Sequence, residues 1–355
     1  MKAVSILTPC RNEAHSIEGC VHNLCNLDAP EGGYEVIIID GISDDGTQEI
    51  LEKLQKQYTH LTVLHNPKRF VSHGMNLGIQ QAAGAYIVRA DVRCIHPKTY
   101  LLDLLSLSQK SGADNVGGVL IPISEDRYIP KSIRLAYKSP IAMGGALRDR
   151  GDFEGETDTV YGGCFKKETL LRIGLYDEQM VRNQDDELSF RLRKAGGKII
   201  QSGKIKVQYS PRGTYRQLFK QFSQYGFWKV AVIERHPNQA SFRHLLPAGL
   251  VLGFVTLFLI ALFYPQRFLW PIGYIVFYIM ALGVESIRIT APSGMIFPFG
   301  ISVAIFLIHI GFGVGFLAGL VTRLLKITPD YFKTLSRYGD FKNGTSLFAF
   351  CASLY

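Results

Sequence analysis

The stretch EVIIIDGISDDGT, residues 35–47, combines the pattern of a buried strand with that of a turn and a helix start. Its run of valine and isoleucine, residues 36–39, is typical of a strand in the core of a sheet. Asp40 ends this run, and because an unpaired carboxylate is costly to bury, Asp40 is expected to have a polar partner. A turn and an N-capped helix alone can explain the residues that follow. The stretch therefore predicts a strand, a loop and a helix, with one carboxylate at the carboxyl end of the strand.

Apolar, strand-like runs recur along the first part of the chain. Alternating strands and helices at the observed spacing predict an α/β fold with a mostly parallel sheet flanked by helices. Ligands of open sheets of this class bind at the carboxyl ends of the strands. Polar and charged residues are concentrated there, in CRNE (10–13), DGISDDGT (40–47) and RADVRC (89–94). The further runs occupy residues 4–9, 61–66, 85–91 and 113–121.

The last third of the 355-residue chain is strongly apolar. The stretches 245–264, 268–284 and 295–321 contain no Asp, Glu, Lys or Arg, and about 20 apolar residues suffice to span a bilayer. Directly before them, residues 191–244 carry 12 Lys or Arg and a single acid, Glu234. A basic segment next to membrane spans fits the positive-inside rule and attraction to anionic lipids. The sequence therefore predicts a helical transmembrane region, anionic lipids of the inner leaflet as partners, and no nucleic-acid partner.

These patterns divide the chain into four predicted parts. No long apolar run opens the sequence, so no signal peptide is expected and the first domain is expected to stay in the cytosol. The six cysteines show no metal-type spacing and are interpreted as reduced cytosolic thiols. The parts are a cytosolic domain (1–212), an amphipathic basic interfacial segment (213–244), a transmembrane region (245–321, with spans at about 245–264, 268–287 and 295–321) and a basic C-terminal tail (322–355).

The membrane topology stays open on two points. The stretch 214–236 has an amphipathic pattern that fits a helix on the inner leaflet, or a helix packed on the cytosolic domain. The third apolar stretch contains Pro298, His309 and five glycines, which fits a broken or re-entrant segment as well as a simple span. The tail has an excess of Lys and Arg. Since such residues favour the inner side, the tail is expected to be cytosolic.

Six motifs follow one another along the first 200 residues. They are TPCRNEAHSI (8–17), DGISDDGT (40–47), SHGMNLGIQQAAG (72–84), RAD (89–91), YGGCF (161–165) and NQDDELSFRLRKAG (183–196). Their order resembles that of family-2 glycosyltransferases of the GT-A fold, over about residues 1–230. GADNVGG (112–118) and QYGFWK (224–229) are most similar to the membrane-attached branch of succinoglycan-biosynthesis glucosyltransferases. The resemblance implies a GT-A domain followed by the transmembrane region.

The resemblance also implies roles for individual residues. Asp91 corresponds to the final acid of a motif that binds Mg²⁺ or Mn²⁺, Asp185 to the general base, and Asp40 to the carboxylate that faces the uracil of a UDP-sugar. The nucleotide-sugar-binding set is Pro9, Arg11, Glu13, Asp40, Ser43, Arg69, Asn76, Arg89 and Asp91. The residues implied on the acceptor side are Gly162, Gly163, Cys164 and Trp228.

The chain departs from the family pattern at three places. A cation, Arg89, replaces the first acid of the metal motif, and Gln184 replaces the acid before Asp185. The QxxRW motif of processive synthases is missing from the sequence, which argues against processive polymerisation. Two simpler interpretations stay open: Arg89 could form only an ion pair at the sheet edge, and the acids 185–187 could serve only the helix dipole.

The expected activity follows from the resemblance and these residues together. One base and no second nucleophile are evident, which fits an inverting mechanism. The expected reaction adds one sugar, glucose from UDP-glucose, to a polyprenyl-diphosphate-linked oligosaccharide in exopolysaccharide synthesis. The protein is expected to be a multi-pass protein of the cell inner (plasma) membrane with a cytosolic catalytic domain. Alternatives are a polyprenyl-phosphate sugar transferase that makes a lipid-linked monosaccharide, and a catalytically inactive membrane scaffold.

Overall fold

The computed structural model describes residues 2–144, 153–239, 241–291 and 298–326. These residues form two compact units. The sheet unit contains residues 2–123 and 153–210, and the helical unit contains residues 124–144 together with the described residues after 210. Residues 124–144 lie within the first domain predicted from the sequence, yet they belong to the helical unit. The predicted tail beyond residue 326 lies outside the described residues.

The sheet unit is built on one nine-stranded sheet. Its strands are β1 (Val4–Cys10), β2 (Tyr34–Asp40), β3 (Leu61–His65), β4 (Tyr86–Arg89), β5 (Cys94–Ile95), β6 (Asn115–Pro122), β7 (Glu154–Glu156), β8 (Cys164–Lys166) and β9 (Ile199–Tyr209). They lie in the order β3-β2-β1-β4-β8-β6-β9-β5, and β7 also pairs with β9. The pairing directions give one group, β1 to β4, β6 and β9, that runs one way, while β5, β7 and β8 run the other way. The prediction of a mostly parallel sheet is therefore confirmed.

Twelve α-helices are described. They are α1 (Ile17–Cys25), α2 (Thr47–Gln57), α3 (Val71–Gln81), α4 (Tyr100–Ser111), α5 (Tyr128–Ala136), α6 (Pro140–Met143), α7 (Lys167–Ile173), α8 (Gln184–Lys194), α9 (Tyr215–Arg235), α10 (Phe242–Phe263), α11 (Leu269–Thr290) and α12 (Phe299–Leu324). Helices cover both faces of the sheet. Ile38 packs with α1 and α2 on one face, whereas Ile37 and Ile39 pack with α3 on the other. A strand buried on both faces needs a continuous apolar run, which explains residues 36–39.

The parallel strands bring the polar motifs to one edge of the sheet. Cys10 at the end of β1 is in register with Asp40 at the end of β2, and Asp40 with His65 at the end of β3. β4 continues this edge on the other side of β1, where Leu7 is in register with Arg89. The carboxyl ends of four strands therefore lie next to one another, as the sequence predicts.

The helical unit contains α5, α6 and α9 to α12. Within its described residues, three helices are long and apolar enough to cross a membrane: Phe242–Phe263, Pro265–Thr290 and Phe299–Leu324. They coincide with the three apolar stretches of the sequence. α9 covers the predicted amphipathic stretch, and the Thr214 hydroxyl caps it by accepting from the Gln217 amide (3.3 Å).

Candidate functional site

The loops that follow β1 and β2 are tied together by hydrogen bonds. The Asn12 side chain donates to the Asp44 carboxylate (2.8 Å), and the Asp44 amide donates back to the Asn12 side-chain oxygen (3.1 Å). The amides of Asn12 and Glu13 donate to the hydroxyls of Ser43 (2.9 Å) and Thr47 (3.0 Å). Asn12 has a positive φ of 54°, which asparagine tolerates better than most residues. These contacts fix Glu13 and Ser43, two of the predicted nucleotide-binding residues, at the sheet edge.

Asp40 is completely buried beneath these loops. Its carboxylate accepts from the amide of Ser43 (3.1 Å), from the Ser43 hydroxyl and from the Gln48 side chain (2.9 Å). The polar partner that burial requires is therefore supplied by the chain itself. No motif pointed to Gln48, because the periodicity of α2 reports only which residues are apolar. The uracil-facing role of Asp40 stays a prediction.

Two further predicted residues, Arg11 and Glu13, provide charge beside this pair of loops. Glu13 forms an ion pair with Arg93 (3.2 Å), which lies just beyond the RAD motif. The Arg11 side chain packs on Gly41, where an added Cβ would lie 3.4 Å from it. The Arg11 Nε atom is buried and has no hydrogen-bond partner among the described residues. Pro9 lies in β1 and is half-buried.

Arg69 and Asn76, two predicted nucleotide-binding residues that follow β3, have different surroundings. Arg69 is exposed and has a positive φ of 65°. Asn76 is buried, and its amide group bridges to the backbone of Tyr176: the side-chain nitrogen donates to the Tyr176 carbonyl (2.9 Å) and the side-chain oxygen accepts from the Tyr176 amide (2.9 Å). It also donates to Glu178 (3.1 Å). Asn76 therefore holds the 176–178 loop in place, and a direct nucleotide contact stays a prediction.

The RAD motif forms an ion pair with a fixed geometry. The Arg89 guanidinium donates through Nε (3.2 Å) and Nη2 (3.1 Å) to one oxygen, Oδ1, of Asp91. The Arg89 side chain is only 12% exposed, whereas that of Asp91 is 37% exposed. The remaining guanidinium nitrogen, Nη1, is buried and has no partner among the described residues. This pair is not a surface ion pair, because its cation is largely out of solvent.

Arg89 also connects the metal motif to the predicted base. Burial alone would lower the pKa of Arg89, but the carboxylates of Asp91 and Asp185 raise it above its usual value. The buried Tyr176 hydroxyl interacts with the same guanidinium, and burial raises the pKa of Tyr176 to about 12. A charged Arg89 therefore interacts with two carboxylates that are far apart in the sequence. No motif pointed to Tyr176.

The acids 185–187 at the start of α8 have different surroundings. Asp185 is exposed in the first turn of the helix. Glu187 is 3% exposed and pairs with Arg191 (2.7 Å), which also donates to the carbonyls of Ile173 and Leu175. Glu187 is therefore a structural acid. Asp185 is the acid of this cluster that interacts with Arg89 and is also open to solvent.

The YGGCF motif packs directly against the end of β4. The Tyr161 hydroxyl accepts from the Asp91 amide (3.3 Å) and donates to the Cys94 sulfur (2.9 Å). Gly162 has a φ of 64°, and a Cβ on it would lie 2.6 Å from the Arg89 carbonyl oxygen. The Gly163 carbonyl accepts from the Arg89 amide (3.1 Å). Gly162 is thus required for the close approach of this segment to the RAD motif, whereas a Cβ on Gly163 (φ 82°) would lie 2.6 Å from the Asn115 side-chain oxygen.

Two residues predicted on the acceptor side are buried. Cys164 is 0% exposed in β8, in register with Val88. Trp228 is 4% exposed in α9 of the helical unit, next to Phe227. Both side chains are therefore packed inside the protein, and the placement of Cys164 and Trp228 on the acceptor side stays a prediction. The motif match supplied their positions but not the direction of their side chains.

The available metal ligand in this region is a single carboxylate. Within the described residues, no group of three or more His, Cys, Asp or Glu side chains is arranged to hold a metal ion. Oδ1 of Asp91 accepts from Arg89, and Oδ2 has no hydrogen-bond partner among the described residues. Mg²⁺ is often held by one or two carboxylates together with substrate phosphates. Asp91 fits that arrangement and does not fit an all-protein metal cage.

Comparisons with known proteins agree with this geometry. The family model described as glycosyl transferase family 2 matches residues 5–166. The succinoglycan biosynthesis protein ExoA of Rhizobium meliloti (strain 1021) is 30% identical over 244 residues, which cover 68% of this chain and 73% of that protein. A dolichyl N-acetyl-alpha-D-glucosaminyl phosphate 3-beta-D-2,3-diacetamido-2,3-dideoxy-beta-D-glucuronosyltransferase of Methanococcus voltae is 25% identical over 328 residues, which cover 90% of this chain and 98% of that protein.

One solved structure shares the fold over most of the chain. It is mannosyltransferase PcManGT from Pyrobaculum calidifontis, solved in complex with GDP-Man and Mn²⁺. The two structures superpose with a TM-score of 0.55 at 18% sequence identity, covering 92% of this chain and 88% of the other. The sheet with its flanking helices is therefore a GT-A fold.

Proposed function

The chain belongs to glycosyl transferase family 2, and from this premise we propose that it is an inverting, membrane-bound transferase of single sugars. The proposed donor is UDP-glucose, and the proposed acceptor is a polyprenyl-diphosphate-linked oligosaccharide in exopolysaccharide or cell-surface glycan synthesis. The reaction is proposed to take place at the inner leaflet of the plasma membrane, with the sheet unit in the cytosol.

One observation carries the catalytic part of this proposal. Arg89 pairs with Asp91 and interacts electrostatically with Asp185, so the proposed metal ligand and the proposed base belong to one charged cluster. The cluster lies at the carboxyl end of β4, where ligands of α/β sheets bind. Of the three acids at the start of α8, Glu187 is committed to Arg191 and Asp186 is half-buried, so Asp185, the exposed acid, is the proposed base.

The chemistry assigned to each residue follows from its surroundings. A divalent ion on Asp91 Oδ2 would neutralise the leaving diphosphate when bound. Arg89 keeps a permanent positive charge at this position, which would attract the negatively charged diphosphate. Asp185 accepts the proton of the acceptor hydroxyl as the new bond forms. A single displacement inverts the anomeric carbon, so an α-linked donor gives a β-linked product.

The lipid-linked acceptor is supported by two separate observations. Three helices of the chain are long and apolar enough to cross a membrane. The relative from Methanococcus voltae, which matches over 90% of this chain, carries a dolichyl-linked sugar phosphate in its name. A polyprenyl-phosphate acceptor, which would give a lipid-linked monosaccharide, differs only in the group that accepts the sugar. The altered RAD motif favours a second class of function, an inactive membrane scaffold.

The proposal is tested with the purified full chain in its native lipids. UDP-sugars are screened for release of UDP with Mg²⁺ or Mn²⁺, in the presence of polyprenyl phosphate or of a polyprenyl-diphosphate-linked oligosaccharide. We expect release from UDP-glucose with the lipid-linked oligosaccharide, and loss of that release in Asp185→Asn. Release only with polyprenyl phosphate would favour the lipid-linked monosaccharide, and no release from any UDP-sugar would favour the scaffold.

A further inference from the structure

α9 and α12 pack side by side over most of their length. Three glycines of α12, spaced by four residues, meet three backbone carbonyls of α9 with the same spacing. The pairs are Gly311 with Phe219, Gly315 with Ser223 and Gly319 with Phe227, and a Cβ on these glycines would lie 2.9, 2.0 and 2.8 Å from the respective carbonyl oxygens. Because the residue numbers rise together, the two helices are parallel.

The ends of the two helices extend this contact. Near the start of both helices, the Tyr215 hydroxyl donates to the Gly300 carbonyl (3.0 Å). Near their ends, Arg323 of α12 forms an ion pair with Glu234 of α9. Two helices that touch at both ends and in the middle share one orientation and one depth relative to a membrane.

A parallel arrangement is incompatible with four successive spans. Consecutive membrane spans joined by short connections alternate in direction, so the first and fourth spans of a series are antiparallel. Residues 236–241, 264–268 and 291–298 are the connections. At about 3.5 Å per residue, even the eight residues 291–298 reach at most about 28 Å when fully extended, less than the roughly 30 Å hydrocarbon core. α9 and α12 therefore cannot both be spans.

The charged residues of α9 argue against α9 crossing the bilayer beside α12. α9 contains Lys220 and Lys229 in its interior, with Arg216 and Arg235 near its ends. Charged side chains at the bilayer centre are costly. Because α12 shares the depth of α9, α12 does not cross the bilayer either, although it is long and apolar enough to do so.

The contacts of α12 with the α10–α11 hairpin lead to the same result. α12 contacts the first half of α10, where a Cβ on Gly313 would lie 2.3 Å from the Pro247 carbonyl oxygen and 2.8 Å from the Val251 side chain. It contacts α11 from its middle to its last turns, where His309 bonds to Tyr278 (2.9 Å) and Ser302 to Ser286 (2.8 Å). These contacts lie between the middle of the hairpin and the end away from its turn, Pro265–Arg267. Beyond these contacts, the apolar side chains nearer the turn are mostly exposed. α12 therefore passes from α11 to α10 across the part of the hairpin away from its turn.

The contacts of residues 124–144 with α12 are a third indication that α12 does not cross the membrane. Residues 124–144 follow β6 and precede β7 in the chain, so strands of the sheet unit flank this segment in the sequence. The Tyr128 hydroxyl accepts from the Gly300 amide (2.8 Å), and the Ile141 carbonyl accepts from the His309 ring (3.1 Å). The middle of α12 is therefore at a depth that this short segment reaches.

From these contacts we infer that α9 and α12 lie as one pair in the plane of the inner leaflet, and that only the α10–α11 hairpin crosses the membrane. The partner surface is an anionic phospholipid leaflet. Exposed apolar side chains of α12, such as Phe299, Phe306 and Val321, lie among acyl chains, and the exposed basic residues of α9, Arg216 and Arg235, lie at headgroup level. Residue 326 is then on the same side of the membrane as the sheet unit. This topology does not depend on the proposed sugar transfer.

The topology is tested by cysteine labelling of the full chain in intact cells and in inverted membrane vesicles. Burial raises the pKa of the described cysteines, to about 12 for Cys25, Cys94 and Cys164, so they react slowly with maleimides. Cys351 is replaced by serine. Single cysteines are then placed at exposed positions in the sheet unit, the hairpin turn and the end of α12: Lys53→Cys, Gln266→Cys and Leu325→Cys.

A membrane-impermeant maleimide should label Leu325→Cys and Lys53→Cys only in inverted vesicles, and Gln266→Cys only in intact cells. Labelling of Leu325→Cys from the same face as Gln266→Cys would show that α12 crosses the membrane and would overturn the inference. Labelling of Gln266→Cys from the same face as Lys53→Cys would overturn it as well, because the hairpin would not span.

A depth measurement provides a second test. Nitroxide labels at Phe299, Phe306 and Val321 are compared in vesicles of phosphatidylethanolamine and phosphatidylglycerol. We expect one shallow depth for all three positions, against a steady change in depth along α10 from Leu246 through Phe254 to Leu262. A steady change in depth along α12 would contradict the inference.

Discussion

The charge of a single residue, Arg89, distinguishes this site from one that uses two acids. Its guanidinium donates twice to Oδ1 of Asp91 and leaves Oδ2 without a described partner. A second acid in its place would repel Asp91 and Asp185, whereas the cation attracts both carboxylates. The site thus combines one proposed metal ligand with one permanent positive charge.

Substitutions of Asp91 and Arg89 should therefore lower turnover by different amounts. Asp91→Asn removes the anionic ligand, and we expect turnover to fall at least a hundredfold, about 3 kcal/mol of transition-state stabilisation. Arg89→Ala should cost about tenfold, or about 1.4 kcal/mol, and part of this loss should be recovered at higher Mg²⁺ or Mn²⁺. The measurement is UDP release as a function of metal concentration.

Arg172→Ala is the control for that experiment, because Arg172 is exposed and lies 3.7 Å from Asp114. It should change turnover little. Full activity of Asp91→Asn, or activity that survives chelation of divalent ions, would rule out RAD as the metal site.

The two acids Asp185 and Glu187 offer a matched comparison of a base with a structural acid. Asp185→Asn should abolish turnover and leave the melting temperature almost unchanged, because Asp185 is exposed. Glu187→Gln breaks a largely buried ion pair, and we expect a loss of about 3 kcal/mol of stability. UDP release and thermal unfolding are measured for both variants. Asp185 is a structural residue if the two variants lose stability equally.

His96 should make folding sensitive to acid. It is 3% exposed, its ring stacks on Tyr100 with centroids 4.6 Å apart, and neither ring nitrogen has a partner among the described residues. Burial lowers the pKa of His96 to about 4, although the charge of Asp91 opposes the shift. The unfolded chain therefore binds the proton more tightly, and stability should fall as pH drops from about 6.5 to 4, by on the order of 3 kcal/mol in total.

The variant His96→Phe keeps the ring contact and removes the titrating group. The backbone bonds of residue 96 to Asn23 (2.8 and 2.9 Å) do not need the imidazole. Melting temperatures measured between pH 4 and 7 should fall less steeply for the variant than for the natural chain. Equal slopes would show that His96 does not contribute to the acid response.

Sequence motifs predicted the positions of the charged residues better than their contacts. Asp40, Asp91 and Asp185 are at strand or helix ends, where a polar residue interrupts an apolar pattern. The burial of Cys164 and Trp228 was not predictable in this way, because a motif match gives a position in the chain and not the direction of a side chain. No sequence pattern pointed to Tyr176, because its interaction with Arg89 joins residues that are far apart in the chain.

At the scale of elements, strands with continuous apolar runs were predicted, whereas the eleven-residue β9, whose apolar residues are interrupted by polar ones, and the short strands were missed. β1, β2 and β6 have seven or eight residues and carry continuous apolar runs. β5, β7 and β8 have only two or three residues, too few for any periodicity to show. Their antiparallel pairing depends on neighbours far away in the chain, which local sequence does not report.

The packing of α9 was not predictable from its own pattern. The amphipathic stretch 214–236 indicated one apolar face, and a lipid leaflet or the cytosolic domain could cover it equally well. The structure covers much of that face with α12, because the glycines of α12 allow the two backbones to approach closely. The packing therefore depends on α9 and α12 together and cannot be predicted from the sequence of either helix alone.

Alanine substitutions of two glycines test this packing. A Cβ on Gly315 would lie 2.0 Å from the Ser223 carbonyl oxygen, whereas a Cβ on Gly249 in α10 meets no atom within 4 Å. Gly315→Ala should lower stability by about 1–3 kcal/mol through overpacking. Gly249→Ala should be neutral or stabilising by up to about 1 kcal/mol, because alanine favours helix.

The readout is the melting temperature of the full chain in detergent, with the yield of monodisperse protein as a check. Equal effects of the two substitutions would contradict close packing of α9 on α12.

At the scale of the whole molecule, a GT-A sheet is joined to a helical unit with three candidate membrane spans. Composition predicted both parts, because apolar content and charge change sharply near residue 244. It did not predict that residues 124–144 join the helical unit, since nothing in that segment is strongly apolar over a long stretch. In the topology that we infer, the α9–α12 pair lies at the inner leaflet, and a lipid-linked acceptor would be presented at the membrane surface.

The most direct measurement of this function is the product formed from UDP-glucose and a polyprenyl-diphosphate-linked oligosaccharide by the purified full chain. We predict release of UDP and a product with one added β-linked glucose, both dependent on Mg²⁺ or Mn²⁺ and both lost in Asp185→Asn. An α-linked product, or undiminished product formation by Asp185→Asn, would contradict inverting transfer with Asp185 as the base.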